Sequence, residues 1–172
     1  MTTRRLPRTL TASALSLALL TGAAHGADRD PYTGQVIQQL AGATVVARNS
    51  GFTLLDATPG RLYSPDWTGH ILNLETGWEY WIIGACDSDC RDMDLAILDP
   101  GGRRVIVDRD TGQDDAPMVA IRPQRSGEFT LAVSIPDCRT RRCTYGVALY
   151  GRAVTGAPPI QAPPRSAGRV NL

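Results

Sequence analysis

The chain has 172 residues, with 18 arginines, no lysine and 17 acidic residues, which give a formal net charge of +1 at pH 7. This length allows one domain with a substantial hydrophobic core. The nearly balanced charge excludes a general electrostatic affinity for nucleic acid, which requires a strongly basic surface.

Residues 1–26 have the features of an export signal peptide. Three arginines stand before the apolar run Thr9–Leu20, and small residues follow up to Gly26. The run is shorter than the roughly 20 residues that cross a membrane, so we predict no transmembrane anchor. Removing this segment takes away three arginines and no acidic residue, which changes the net charge from +1 to −2. The mature protein is predicted to be exported, to the periplasm or the extracellular space.

One helix is predicted in the segment 27–51, because Val36, Ile37 and Leu40 recur at helical spacing after Thr33, a suitable N-cap. Residues 52–154 are predicted to form an all-β domain, an antiparallel β-sandwich or jelly roll of about eight strands. The predicted strands are Phe52–Asp56, Gly69–Leu74, Trp78–Ala85, Asp94–Leu98, Arg103–Asp108, Met118–Arg122, Gly127–Ile135 and Tyr145–Tyr150. Residues rich in Pro and Gly predict turns at Thr58-Pro59-Gly60 and Asp99–Gly102. The Pro-rich tail 155–172 is predicted to be disordered.

The four cysteines form two pairs that are close in sequence, Cys86 with Cys90 and Cys138 with Cys143. In an oxidising compartment, disulfides are expected, and each of these pairs can close a tight loop. The alternative pairing would join the two loops, which requires them to be neighbours. The spacings differ from those of the common zinc sites, which disfavours a metal knuckle.

Two clusters of aspartates suggest a calcium site. Calcium prefers several oxygen ligands, which carboxylates on turns provide. The candidate ligands are Asp87, Asp89, Asp92 and Asp94 in the first cluster and Asp108 and Asp110 in the second. The alternative is that these carboxylates accept hydrogen bonds from turn backbone or pair with the arginines among them.

Two further features predict a binding surface. Trp67 and Trp78 stand beside turns, where an exposed ring can stack on a sugar, whereas Tyr80 and Trp81 are expected in the core. The loop Cys138–Cys143 displays three arginines. It is suited to an anionic polymer or an acidic partner, or it is simply a solvated loop.

No residue set predicts a catalyst. His70 is the single histidine of the predicted mature chain, and no G-x-S-x-G motif is present. Glu75, Glu79 and Glu128 are candidate paired carboxylates for glycoside hydrolysis, but nothing in the sequence indicates a raised pKa among them. We therefore predict that the protein is not an enzyme.

The run from Leu74 to Tyr150 resembles the bacterial pre-peptidase C-terminal domain family. The matching residues are Gly77 and Tyr80, Asp92-Met93-Asp94-Leu95, Asp99-Pro100-Gly101, and the spaced residues of Gly127–Val133. The resemblance implies a β-sandwich that accompanies secreted hydrolases without being catalytic, and some members bind calcium. We expect a stand-alone secreted member with added disulfides that acts as a binding or accessory module. Its expected partner is an extracellular or periplasmic protein or a polysaccharide. The alternative is an extracellular carbohydrate-binding module.

Overall fold

Eight antiparallel strands form two sheets of four, which confirms the β-sandwich predicted from the sequence. The structure is a computed structural model, and it describes residues 30–99 and 106–154. The predicted signal peptide and tail lie outside the described residues, as does most of the predicted turn after Asp99. The elements are α1 (Pro31–Asn49), β1 (Thr53–Tyr63), β2 (Asp66–Leu74), β3 (Trp78–Cys86), β4 (Cys90–Leu98), β5 (Ile106–Asp110), β6 (Met118–Ile121), β7 (Gly127–Cys138) and β8 (Arg142–Ala153).

The order of the strands is that of an eight-stranded jelly roll. The first sheet has the order β1-β8-β3-β6 and the second the order β2-β7-β4-β5. Most connections along the chain therefore cross from one sheet to the other, as in two interlocked Greek keys. Consequently β1 and β6 are the edges of the first sheet, and β2 and β5 are the edges of the second.

The core lies between the sheets and follows from alternation along each strand. Met93, Leu95 and Ile97 of β4 are fully buried, while the residues between them are only partly so. The alternation of β7 from Phe129 to Ile135 is the same. An alternating strand has one buried face, so the outer face of the second sheet is open to solvent.

The outer face of the first sheet is covered by α1, which explains why β8 is buried without alternation from Cys143 to Tyr150. Val36 and Ala47 are the buried positions of the helix. Gly146 of β8 permits this packing, because a Cβ placed there would lie 2.7 Å from Val36 Cγ1. Near the end of the helix, Phe52 stacks on Trp81 with ring centroids 4.1 Å apart.

The turn predicted at Thr58-Pro59-Gly60 is wrong, since all three residues lie inside β1 and pair with β8. Proline is tolerated in an edge strand, where its missing N–H leaves no internal hydrogen bond unmade. Gly60 does not form a turn; it allows the Tyr145 ring to approach the backbone of β1. A Cβ at this position would lie 2.5 Å from Cζ of that ring.

Candidate binding surface at the disulfide-bonded end

Both disulfides lie at the same end of the sandwich. Cys86–Cys90 and Cys138–Cys143 have Cα–Cα distances of 5.9 and 6.0 Å, which confirms the pairing within each loop. Cys90 and Cys138 face each other across the β4–β7 ladder, so the two disulfide loops are neighbours. We call this region the disulfide end, defined by residues 61–67, 86–90 and 138–144 together with Tyr32.

Asp87 and Asp89 join the two loops. The Asp87 carboxylate is buried and accepts hydrogen bonds from the backbone N–H groups of Thr144 (2.6 Å) and Asp89 (3.0 Å). Asp89 forms an ion pair with Arg139, and its backbone carbonyl accepts from the Arg139 N–H at 2.8 Å. The hydrogen bond from Arg139 lowers the pKa of Asp89. These two candidate calcium ligands therefore have protein partners that fix the loops to each other.

Asp108 and Asp110 extend from β5 to the edge of the other sheet. Asp108 Oδ2 accepts from the backbone N–H of Ala120 at 2.7 Å, and Asp110 Oδ2 accepts from that of Met118 at 2.9 Å. Both donors belong to β6, an edge strand, and they point away from its partner β3. These carboxylates therefore close the open side between the two sheets.

Asp92 and Asp94 lie on the partly exposed face of β4. Ser134 Oγ donates to Asp94 at 3.1 Å, whereas Asp92 Oδ1 is buried without a hydrogen-bond partner. Burial raises the pKa of Asp92, and the charge of Asp94 raises it further. In residues 30–99 and 106–154, no three acidic, histidine or cysteine side chains come together in a group that could hold a metal ion. Calcium binding by the six candidate aspartates stays a prediction.

Exposed aromatic rings are concentrated at the disulfide end. Of the chain's ten aromatic residues, the three classed as exposed are Tyr32, Tyr63 and Trp67, with 38%, 54% and 39% of their surface accessible. Tyr63 pairs with Arg142 across the β1–β8 ladder, and the Arg142 guanidinium lies 5.3 Å from its ring centroid. Sequence reasoning selected Trp67 for exposure but neither tyrosine, because the exposure of Tyr63 and Tyr32 depends on the register of β1 and on the docking of α1.

Trp78, the other predicted sugar-stacking residue, is not near Trp67. It is half-buried on β3 of the first sheet, where its ring stacks on Tyr80 at a centroid distance of 6.4 Å. It pairs with Ala153 at the end of β3 opposite Cys86. The structure therefore separates the two tryptophans by sheet and by end.

A polar cleft of about 410 Å³ opens between the start of α1 and the disulfide loops. Its lining includes Tyr32, Arg61, Asp89, Thr140 and Arg142. Arg61 forms an ion pair with Asp30, the residue before the helix. The cleft thus combines an aromatic hydroxyl with side chains of both charges.

The candidate catalytic residues have structural partners. His70 Nε2 and the Tyr145 hydroxyl lie 3.0 Å apart, and Tyr145 is fully buried. Glu79 accepts hydrogen bonds from Arg152 (2.6 Å) and Arg122 (2.9 Å). The Arg152 hydrogen bond lowers the pKa of Glu79, whereas a general acid needs a raised pKa. Glu75 and Glu128 are exposed.

No protein-family model and no curated protein matches the chain. Two solved structures are similar at 13% identity. The Aeromonas hydrophila PliG, a periplasmic lysozyme inhibitor of g-type lysozyme, has a TM-score of 0.44 over 56% of this chain and 85% of its own. The Yersinia pseudotuberculosis-derived mitogen has a TM-score of 0.45 over 62% of this chain and 91% of its own. Similarity at this level does not establish a family or a function. Within the described ranges, no helix combines the length and the apolar character needed to cross a membrane.

Proposed function

We propose that the chain is a non-catalytic, exported binding module that recognises a partner protein through the disulfide end. The observation that carries this proposal is that the three exposed aromatic residues, Tyr32, Tyr63 and Trp67, all lie at the disulfide end, where Arg142 contacts the Tyr63 ring. Tyrosine, tryptophan and arginine are the residue types enriched in the energetically dominant parts of protein interfaces. The disulfides also fit an oxidising compartment outside the cytoplasm.

The disulfide end is cross-linked by bonds within the chain itself, which supports a binding role. Two disulfides close its loops, and Asp87 and Asp89 fix the loops to each other. A preorganised surface loses little conformational entropy on binding, so more of the contact energy appears as affinity.

The partners of His70 and Glu79 favour a binding role over catalysis. A general base has to be within hydrogen-bond reach of the proton it removes. His70 instead meets a buried tyrosine hydroxyl between the sheets, and Glu79 is held in its ionised form by two arginines. Neither arrangement favours proton transfer to a substrate.

Site-specific photo-crosslinking in the producing bacterium tests this proposal. A photo-crosslinking amino acid replaces Tyr63 or Trp67 in turn, and Val45 (59% exposed) and Leu54 (38% exposed) serve as equally accessible control positions away from the disulfide end. We expect one adduct of defined mass from Tyr63 and Trp67 and none from the controls. Equal adducts from all four positions, or none, would contradict the proposal.

The identity of the adduct also tests the family resemblance. An accessory role, as the pre-peptidase C-terminal resemblance implies, predicts that the crosslinked protein is a secreted hydrolase. Mass spectrometry of the purified adduct identifies it, and a partner that is not a hydrolase would contradict the accessory role while leaving the binding role intact.

A carbohydrate-binding module is the second candidate function, favoured by the position of Trp67. Its exposed ring lies on the open face of the second sheet, in one row with Ser134 and Asp94. An exposed aromatic ring beside hydroxyl and carboxylate groups suits stacking on a sugar and hydrogen bonding to it. A glycan array with the mature protein and the Trp67→Ala variant tests this; binding to no glycan, or equal binding by both proteins, would rule it out.

A further inference from the structure

We infer that the partner presents an acidic surface to the disulfide end, and that Arg141 and Arg142 are the residues that contact it. This inference rests on the proposed function, because it specifies the chemistry of the partner bound at the same surface. It begins from the charges that the fold leaves without an internal counterion.

Most arginines in the described part of the chain already have an acidic partner. The ion pairs are Arg61–Asp30, Arg91–Asp137, Arg139–Asp89, Arg125–Asp99, and Arg122 and Arg152 with Glu79. Within that same part, four arginines have no recorded ion pair with a carboxylate: Arg48, Arg109, Arg141 and Arg142. Two of these four are adjacent, and both are exposed in or beside the disulfide loop 138–143. Among the described arginines without an ion pair, these are the two that follow each other in the sequence, so unpaired positive charge is doubled in this loop.

The backbone of Arg141 supports a role for its side chain. Its φ is +64°, in the left-handed region that favours glycine, and no other described residue besides glycine has a positive φ. The conformation is held by the Ser64 N–H, which donates to the Arg141 carbonyl at 2.8 Å. Strained residues of this kind concentrate at functional sites. Glycine would satisfy the backbone here, so the presence of arginine suggests that the guanidinium is used.

Arg142 is held in position by a neighbouring ring. Its guanidinium lies 5.3 Å from the Tyr63 ring centroid, a cation–π contact that leaves the planar donor fork available at its edge. Such a fork binds a carboxylate through two parallel hydrogen bonds. Two exposed arginines that follow each other in the sequence, with an exposed aromatic ring beside the second, therefore match a pair of carboxylates on a folded partner.

A folded acidic patch fits better than a continuous polyanion. The disulfide end also carries the exposed Asp66, and the exposed Asp137 directly precedes the loop 138–143. A uniformly charged polymer lying across this surface would meet these carboxylates and be repelled. A protein surface can place its carboxylates against Arg141 and Arg142 alone.

Crosslinking from Trp67 tests this inference with a matched control. The double variant Arg141→Gln/Arg142→Gln is compared with Arg48→Gln/Arg109→Gln, which removes the same charge from two other described arginines that have no ion pair there. We expect adduct yield to fall about tenfold or more in the first variant and to stay unchanged in the second, since loss of close charge pairs weakens an interface by that much. An equal fall in both variants, or none in the first, would overturn the inference.

The possible failures can be told apart. An adduct that persists in Arg141→Gln/Arg142→Gln contradicts the acidic partner surface but not the binding role of the disulfide end. The absence of any adduct in the unaltered protein contradicts both. A phage-displayed random peptide library selected on the mature protein is a second probe, and we expect enrichment of Asp and Glu that disappears in the double variant. Retention on immobilised heparin that depends on the same two arginines would assign the site to a polyanion instead.

Discussion

The two ends of the sandwich use similar residues in opposite ways. At the end opposite the disulfides, Glu79 binds both Arg122 and Arg152, and Trp78 is half-buried against Tyr80. At the disulfide end, two arginines have no ion pair among the described residues, and the aromatic rings are exposed. At the first end Glu79 neutralises two arginines, whereas at the disulfide end Arg61 and Arg139 are paired and Arg141 and Arg142 face solvent. The comparison teaches that composition alone does not distinguish the two ends; the pairing of each charge does.

The largest expected effect comes from removing a disulfide at the exposed end. Replacing both Cys138 and Cys143 with alanine should lower the free energy of unfolding by about 2 kcal/mol, the chain-entropy value for so short a loop. Urea denaturation of the variant measures this loss. Crosslinking from Trp67 should also disappear, because the loop that positions Arg141 is released. Full crosslinking in the variant would show that rigidity at this end is not needed.

The opposite end should respond in stability only. Glu79→Gln should lower the free energy of unfolding by roughly 1.5 kcal/mol, because two arginines lose a charged hydrogen-bond acceptor. Crosslinking from Trp67 should not change. Loss of crosslinking without general unfolding would show that the two ends are coupled.

The pH dependence of the same variant has a definite sign. The folded-state pKa of Glu79 lies below its usual value of 4.5, so this stabilisation is present above pH 4.5 and is lost as the pH falls through the folded pKa. Glu79→Gln should remove this part of the acid dependence. Unfolding measured between pH 3 and pH 7 checks it, and an unchanged slope would contradict the assignment.

Asp92→Asn tests whether the acidic face beside the disulfide end is a source of instability or a calcium site. Burial raises the pKa of Asp92. As the pH rises from 3.8 through the folded-state pKa, ionisation of this side chain therefore lowers the free energy of unfolding. Without calcium, we expect Asn to stabilise the fold at pH 7 by about 1 kcal/mol, as its amide can donate to a neighbouring carboxylate. If calcium binds Asp92 and Asp94, the variant should instead lose stability in added calcium. Melting curves with chelator and with calcium separate the two outcomes, and calorimetry on the chelated protein measures any binding directly.

The smallest effect in stability is expected from Arg141→Gly. Glycine accepts the left-handed backbone without strain, so the free energy of unfolding should rise by about 0.5 kcal/mol, after the entropy that glycine adds to the unfolded chain is subtracted. Arg142→Gly, one residue along in β8, is the control and should not stabilise. If Arg141→Gly raises the free energy of unfolding and lowers crosslinking, then arginine at this position favours binding at the expense of stability. A lower free energy of unfolding would contradict the backbone strain inferred for Arg141.

The sequence predicts the fold well because alternation and turn residues are local properties. Each of the eight strands overlaps a predicted one, and in the structure β4 and β7 show the period of two of a strand with one buried face. The prediction of a turn at Thr58-Pro59-Gly60 was wrong because proline and glycine occur both in turns and in edge strands that pass close to a neighbouring side chain. The two cases look alike in the sequence. Only the edge position of β1 and the approach of Tyr145 to Gly60 distinguish them.

The partners of the aspartates could not be predicted, since they are set by contacts between distant segments. Asp87 meets Thr144 across 57 positions, and Asp108 meets Ala120 on the other sheet. In the sequence both resemble loop carboxylates available to a cation. The surface at the disulfide end was partly predictable: the arginine loop and Trp67 were recognised, but their proximity to Tyr63 and Tyr32 required the register and the docked helix.

The hydrogen bonds from Asp108 and Asp110 to β6 have a consequence for how the protein behaves in a crowded compartment. An edge strand with free N–H groups is a template on which a second chain can add a strand and begin aggregation. Here the two outward-pointing donors at Met118 and Ala120 are already bonded to carboxylates of the same chain. Neighbouring copies therefore find no free donor at these positions, so this edge of the jelly roll resists growth into a shared sheet.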